Sequence, residues 1–417
     1  MHTETDKTQD NILTTQLREM NHPISIKRDR VLVVASTYPI PRINGIPPFV
    51  RTLSEALAKT SDVRVITLAR GVDERRLSWF DQGLRVEAVA RKGGVPGSGL
   101  LSSFTRGQRF REMILVFRWL KLILVTVKKY QPTVCHVHWA FPAPVAVRAA
   151  KTLRIIPKNI GYFVTMHGAD VLLLNSKIGW LIRWGLNGAS GIAVVNKRDC
   201  ELAAKRTNHA KVEVLPMPVE DVFFVPKSEF QEKNHNYTFV GRLVEKKGLR
   251  ELLHAFEKAG DELKYGLNVI GDGPLRSFLP SEASRVIWLG PMNSQDLSDL
   301  LTQSVGLLAP FKELPNDKDG LPVIVLEAMA AGLPILATEI PGIVDLASKG
   351  LHYWKIEAQG SVESILETIR QFEEDRYLHP DKVMEAVDFN QQLAEEFTSE
   401  RIADHYRHFL SGNPKIK

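Results

Sequence analysis

Residues 310–338 read PFKELPNDKDGLPVIVLEAMAAGLPILAT, an apolar stretch that keeps two carboxylates, Asp319 and Glu327, eight positions apart across a Gly-Leu-Pro step. The run VGLLAP before it reads as a strand, KELPNDKDG as a polar loop, and the rest as a helix with Pro322 in its first turn. Gly332 caps that helix and Pro334 stops it. From Pro322 to Glu327 is five residues, about 7–8 Å of helix at 1.5 Å per residue. That is close to the span of a diphosphate. A helix N-terminus offers unbonded N–H groups and a partial positive charge, so an anion is favoured between the two carboxylates. Glu327 would then accept bonds from a ribose diol and Asp319 from a hexose. Against this stands a plain reading, with Asp319 a turn residue and Glu327 an exposed helix carboxylate. The bulky VIVLEAMA around Glu327 argues for the first, because a carboxylate among apolar side chains needs a specific partner.

A diphosphate calls for cations. GRLVEKKGL (241–249) supplies Arg242 just after a strand and Lys247 at the start of the next helix, with Gly241 before them. Arg gives a planar fork for phosphate oxygens and Lys a movable point charge. Glu245 and Lys246 read as solvated neighbours. GDGP (271–274) is a tight strand-to-helix turn without the G-x-G-x-x-G spacing, which argues against a dehydrogenase. In TMHGAD (165–170) His167 ends a strand beside Gly168, whose bare backbone would admit a ligand. His167 fits equally a substrate contact or a satisfied core histidine. His136 and His138 alternate on one strand and face one side, but no carboxylate lies near them in sequence, so a metal site has little support.

Positioning these loops takes strands. VLVVAS (31–36), VRVITLA (63–69), VCHVHW (134–139), YFVTMHG (162–168) and GIAVVN (191–196) read as strands in the first half. YTFVGRL (237–243), LNVIGDG (267–273), VIWLG (286–290), VGLLAP (305–310) and PILAT (334–338) follow in the second. Helical patterns such as 48–59, 248–259 and 294–304 lie between them, so each half reads as a doubly wound α/β sheet. The seam falls in the proline-rich stretch 214–230. Four segments result: a disordered polar leader over 1–29, a first α/β domain over 30–215, a second over 216–392, and a helix over 393–417 returning to the first. Two facing sheets of this kind present the carboxyl ends of their strands across a cleft.

A chain of 417 residues exceeds one growing core, in keeping with two domains. The two cysteines, Cys135 and Cys200, form no C-x-x-C pair, so neither a disulfide scaffold nor structural zinc is indicated, and a reducing cytosol is expected. The net charge of +6 conceals an asymmetry: 32 basic against 15 acidic residues up to 210 gives +17, and 22 against 33 beyond it gives −11. The apolar run 113–127 is interrupted by Arg118 and Lys121, which argues against a spanning helix. With Arg106, Arg109, Arg111, Lys128 and Lys129 nearby, it fits either an anionic membrane surface or a helix packed on its sheet with the basic residues outward. No interleaved aromatic platform supports nucleic-acid binding.

Taken in order, HVHWAFP, TMHGAD, GRLVEKKGL, VIGDGP, LGPM and DGLPVIVLEAMAAGLPILAT resemble the retaining glycosyltransferases of family 4, over roughly residues 31–410. The resemblance implies the GT-B fold, two facing Rossmann-like domains with the active site between them. It implies sugar transfer from a nucleotide-diphosphate donor, a UDP-sugar or GDP-sugar, to a saccharide or lipid-linked acceptor with retention of configuration. The nucleotide sugar is a substrate, and no cofactor or obligatory metal is expected. Arg242 and Lys247 would hold the diphosphate, Glu327 the ribose, Asp319 with the Gly320 and Leu321 loop amides the hexose, and His167 the sugar near its reacting carbon. Gly45 in NGIPPF matches the family's glycine loop after the first strand, and Gly241 its basic turn. The family's acidic pair is Glu-x7-Glu, and here its first member is the shorter Asp319. Met217-Pro218 replaces the usual Asn-Gly of the linker. The setting implied is cytoplasmic, peripheral at the inner face of the membrane, in cell-surface polysaccharide or glycolipid synthesis. A GT-B epimerase and a non-catalytic sugar-nucleotide-binding subunit are the competing readings.

Overall fold

A computed structural model describes residues 29–93, 109–226, 236–280, 285–315, 317–357 and 360–412. The leader up to residue 28 and Arg106 lie outside the described residues. The first domain runs β1 (Arg30–Val34), α1 (Phe49–Ala58), β2 (Asp62–Arg70), β3 (Arg76–Asp81), β4 (Leu84–Arg91), α2 (Arg109–Tyr130), β5 (Val134–His138), α3 (Ala143–Thr152), β6 (Gly161–Met166), α4 (Gly179–Leu186), β7 (Gly191–Val194), α5 (Lys197–Thr207) and β8 (Val212–Val214). The second runs β9 (Asn236–Val240), α6 (Leu249–Ala259), β10 (Gly266–Ile270), β11 (Val286–Gly290), α7 (Ser294–Leu301), β12 (Leu307–Ala309), α8 (Val323–Ala330), β13 (Ile335–Thr338), α9 (Pro341–Ala347), β14 (Trp354–Ile356) and α10 (Val362–Leu378). Helices α11 (Pro380–Ala394) and α12 (Ser399–Ser411) follow.

The described strands form two sheets, ordered β3-β4-β2-β1-β5-β6-β7-β8 and β11-β10-β9-β12-β13-β14. All pairings are parallel except β3 with β4. Parallel strands buried on both faces read as continuous apolar runs, which is how β1, β5 and β13 appear in the sequence. The antiparallel β3–β4 hairpin is an edge addition absent from the sequence reading. Its turn signal was present: Gln82 and Gly83 both take positive φ, the requirement of a tight hairpin.

One face of the first sheet packs on α2, α3 and α4 through Leu32, Val34, Trp119 and Ile182. Its other face joins Val31, Val33 and Leu53 to Val325, Met329, Ile343 and Tyr406 in a single apolar cluster that continues into the second domain. The tail does not run as one helix over 393–410. It breaks at Thr398, whose extended backbone caps α12. Helix α12 then lies on α1: Arg407 donates to the Ala56 carbonyl at 3.0 Å, and Lys59 pairs with Glu400 at 2.7 Å. The Tyr406 hydroxyl donates to the Leu215 carbonyl within the seam.

Candidate active site between the domains

The DKDG loop follows β12 and meets the loop after β6. Gly168 and Asp319 form an antiparallel bridge between domains. Gly168 has φ +109°, and a Cβ there would stand 2.4 Å from the Gly320 nitrogen. This corrects the expectation that Gly168 makes room for a ligand, since the space is filled by Gly320 of the facing domain. Gly320 is itself confined, because a Cβ would reach within 2.4 Å of Val195. Its carbonyl accepts from Asn196 Nδ2 at 3.1 Å, and Asn196 also caps α5. Leu321 packs into the shared cluster. Gly45, at φ +79°, lies against Pro291 of the LGPM turn, a third crossing between the domains.

Asp319 is paired directly with the basic turn: Lys247 Nζ stands 2.7 Å and Lys246 Nζ 3.2 Å from its two oxygens. Lys246 also reaches Asp317 at 2.8 Å. The expectation that Lys246 is a solvated neighbour is therefore corrected, whereas Glu245 is exposed and pairs with Arg250. The cause is a single 3₁₀ turn, Glu245–Lys247, that precedes α6 and aims both ammonium groups at the loop. Gly248 locks that turn at φ +72°, where a Cβ would overlap the Pro310 carbonyl oxygen at 1.9 Å. Burial alone would raise the Asp319 carboxyl, but Lys247 first and Lys246 second outweigh it and hold it below the ordinary carboxylate range. Arg242 is half-buried one residue after Gly241, and its guanidinium makes no ion pair among the described residues.

Glu327 stands in contrast. It lies on α8, 7% exposed, with no side-chain partner among the described residues, and burial, then the nearby Glu220, push its carboxyl up to about 8. Pro322 is the N-cap of α8, immediately outside the helix, and adds no side-chain bond to its first N–H groups. The surroundings thus push two carboxylates eight residues apart in opposite directions, Asp319 towards its ionised form and Glu327 towards its neutral one.

Across from them, His167 is anchored by its own backbone. Asp170 accepts from the His167 N–H at 2.8 Å and, through its other oxygen, from the Ala140 N–H at 2.9 Å. The His167 ring lies 5.1 Å from Phe49 and 4.9 Å from Trp139. Its Nε2 is 3.0 Å from Nδ1 of His138. Burial, then His136, lower its pKa to about 3. Phe49, Trp139, Asn196 and His138 were not singled out for the site from sequence. The alternation HVH was visible, but its link to His167 needs the β5–β6 register, which sets His138 beside Thr165. No group of three potential ligands suited to a metal ion occurs among the described residues.

Residues 44–218 match the model for a glycosyl transferase 4-like domain, and residues 234–375 that for glycosyl transferases group 1. A candidate teichuronic acid biosynthesis glycosyltransferase of Bacillus subtilis is 26% identical over 62% of this chain and 66% of its own length, just under two thirds. The N-acetyl-alpha-D-glucosaminyl L-malate synthase of Bacillus anthracis is 26% identical over 66% of this chain and 73% of its own. Among solved structures, sucrose-phosphate synthase from Thermosynechococcus elongatus superposes with TM-score 0.69 at 15% identity, covering 93% of this chain and all of that one. An Anabaena protein solved with UDP and glucose gives 0.64 at 14% identity, covering 91% and 99%. The fold is GT-B, and its two halves match a glycosyl transferase 4-like domain and a glycosyl transferases group 1 domain.

Proposed function

We propose that this chain transfers a hexose from a nucleoside-diphosphate donor, with retention of anomeric configuration, to a saccharide or lipid-linked acceptor in cell-surface polysaccharide or glycolipid synthesis. The observation that carries this is the contact of Lys247, Lys246 and Asp319 with one another opposite His167, and Glu327 buried without a partner one helix turn beyond. The cations suit a diphosphate whose negative charge grows as the glycosidic bond breaks, Glu327 suits a ribose diol, and Asp319 suits hexose hydroxyls. The similar Anabaena protein holds UDP and glucose, and the Bacillus subtilis relative is named for teichuronic acid biosynthesis, both in keeping with this reading. Calorimetric titration tests it. A nucleoside diphosphate should bind the parent and bind Arg242→Ala at least about tenfold more weakly. Absence of binding by every nucleoside diphosphate tried would reject the donor assignment.

The acceptor side favours an anionic membrane. On α2, Leu115, Trp119, Leu122, Ile123 and Val127 are buried on the sheet, but the outward face is not simply basic. Phe110 is 74% and Phe117 70% exposed, with Met113 and Ile114 between them, and Arg111, Lys121, Lys128 and Lys129 also point to solvent. Glu112 ties this end of the helix to Arg70 and Arg91, the last residues of β2 and β4, so the apolar turns lie at the rim where the cleft opens. No described helix is long and apolar enough to cross a membrane. Aromatic residues flanked by cations suit interfacial docking, each cation adding about 1 kcal/mol near anionic lipid. Sedimentation with vesicles should rise with anionic lipid, fall with salt, and be lost in a Phe110→Ser, Phe117→Ser double variant. No sedimentation with anionic vesicles at low salt would remove the membrane from the account.

A further inference from the structure

The ring nitrogens of His138 and His167 face each other at 3.0 Å, in planes inclined by only 13°. With ring centroids 5.3 Å apart, that N···N separation is reached only when the two nitrogens point at one another nearly edge to edge. This is the geometry of an in-plane hydrogen bond, so one proton lies between Nδ1 of His138 and Nε2 of His167.

Which histidine owns that proton follows from the other two nitrogens. His138 is 1% exposed, and its Nε2 is buried with no partner. If His167 donated, neutral His138 would carry its proton on Nε2, as a buried N–H with no acceptor. If His138 donates from Nδ1, only a lone pair is left unpaired there, and unpaired buried donors are the rarer case in proteins. His167 must then carry its own proton on Nδ1, the nitrogen not tied to His138. That nitrogen has no hydrogen-bond partner among the described residues and is not among the buried unpaired atoms, and His167 is only half-buried, so it reaches the surface. Double protonation is opposed by the surroundings: the His136 ring lies 4.2 Å from His138, Phe49 and Trp139 flank His167, and burial lowers the basicity of all three imidazoles.

We propose that His138 is a positioning residue that fixes the proton of His167 on Nδ1, so that His167 meets the sugar as a neutral hydrogen-bond donor and not as a base. The proposal rests on the donor-sugar reading given above only for what His167 touches; the tautomer is a property of the free protein. A Nδ1–H aimed at a sugar hydroxyl or ring oxygen orients the hexose, while the accessible nitrogen has no lone pair to take a proton. His138 itself touches no substrate.

Full-length protein labelled with ¹⁵N at histidine tests this by long-range ¹H–¹⁵N spectra near neutral pH, with the His167 signals assigned by their loss in His167→Gln. The expected result is protonated Nδ1 and unprotonated Nε2 in the parent. His138→Phe retains an aromatic ring but has no donor, and its His167 should shift towards a tautomer mixture. Donor turnover in that variant should fall roughly tenfold in kcat while nucleoside diphosphate affinity stays within about twofold. His138→Asn sets an amide N–H near the former Nδ1 and should restore both the tautomer and most of the turnover. His167 protonated on Nε2 in the parent, or a tautomer unchanged in His138→Phe, overturns the proposal. If His138→Phe does not fold, the parent spectrum and His138→Asn decide. Because the spectra require no turnover, failure to find a donor would count against the transfer reading and leave the tautomer result standing.

Discussion

Replacing Glu327 by Gln should make the protein more stable and less able to bind nucleotide. The carboxyl is buried without a partner and pushed up to about 8 by burial and, next, by Glu220, from an ordinary value of 4.5. A group whose folded pKa is raised stabilises the fold fully below its unfolded pKa and loses that contribution as pH rises towards the folded value. For Glu327 the loss runs from about pH 4.5 to about pH 8. With one pKa unit worth 1.36 kcal/mol, the parent forfeits up to roughly 3 kcal/mol by pH 7 and somewhat more by pH 8. Gln keeps the shape and has no charge to suppress. At about 2–4 °C per kcal/mol for a domain of this size, the variant should melt several degrees above the parent near pH 8. The gap should narrow towards about pH 5.5. Melting curves of both proteins across that range supply the test. A melting difference that does not change with pH, or a less stable Gln variant near pH 8, would refute the buried, unpaired carboxylate. A nucleoside diphosphate should raise the melting temperature of the parent more than that of the variant, since the ribose partner is lost.

Lys247→Ala and Arg242→Ala should each cost about 2–4 kcal/mol of transition-state stabilisation, read as kcat/KM for donor turnover. The melting temperature should stay close to the parent's in Arg242→Ala and fall in Lys247→Ala, which leaves the buried Asp319 with Lys246 alone. Asp319→Asn should free Lys247 from its carboxylate and leave Lys246 held by Asp317 alone, so calorimetry should find free nucleoside diphosphate bound as tightly as by the parent or more so, while donor turnover falls. Weaker diphosphate binding in that variant would place Asp319 on the nucleotide instead of the hexose. Gly168→Ala should lower the melting temperature by the equivalent of roughly 2 kcal/mol or more, because both its φ and the Gly320 backbone exclude a Cβ. An unchanged melting temperature would mean that the two loops are not in contact in solution.

The parallel strands were legible because their burial on both faces writes apolar runs, and α8 because Pro322 and Gly332 bracket it. Asp319, Glu327, Arg242 and Lys247 stand out in the sequence by residue type and by their places in the loops and helices that follow strands. Three features were not. Lys246 looked solvated because its orientation depends on Gly248 meeting Pro310, 62 residues away in sequence. The His138–His167 bond depends on which strands are neighbours in the sheet, a property that no local pattern encodes. Gly168 was read as space for a ligand because the facing Gly320 belongs to the other domain. In each case the missing information is a long-range contact, whereas the readable signals were burial, capping and side-chain chemistry.

The central claim is that this cleft moves a sugar off a nucleoside diphosphate. It is tested most directly by incubating the purified full chain with a panel of nucleoside-diphosphate hexoses and candidate acceptors, following nucleotide release and reading the anomeric configuration of the product by NMR. The account predicts release of nucleoside diphosphate from one donor, a product of the same configuration as that donor, and loss of both in Lys247→Ala. An inverted product, or nucleotide release undiminished by Lys247→Ala, would contradict it.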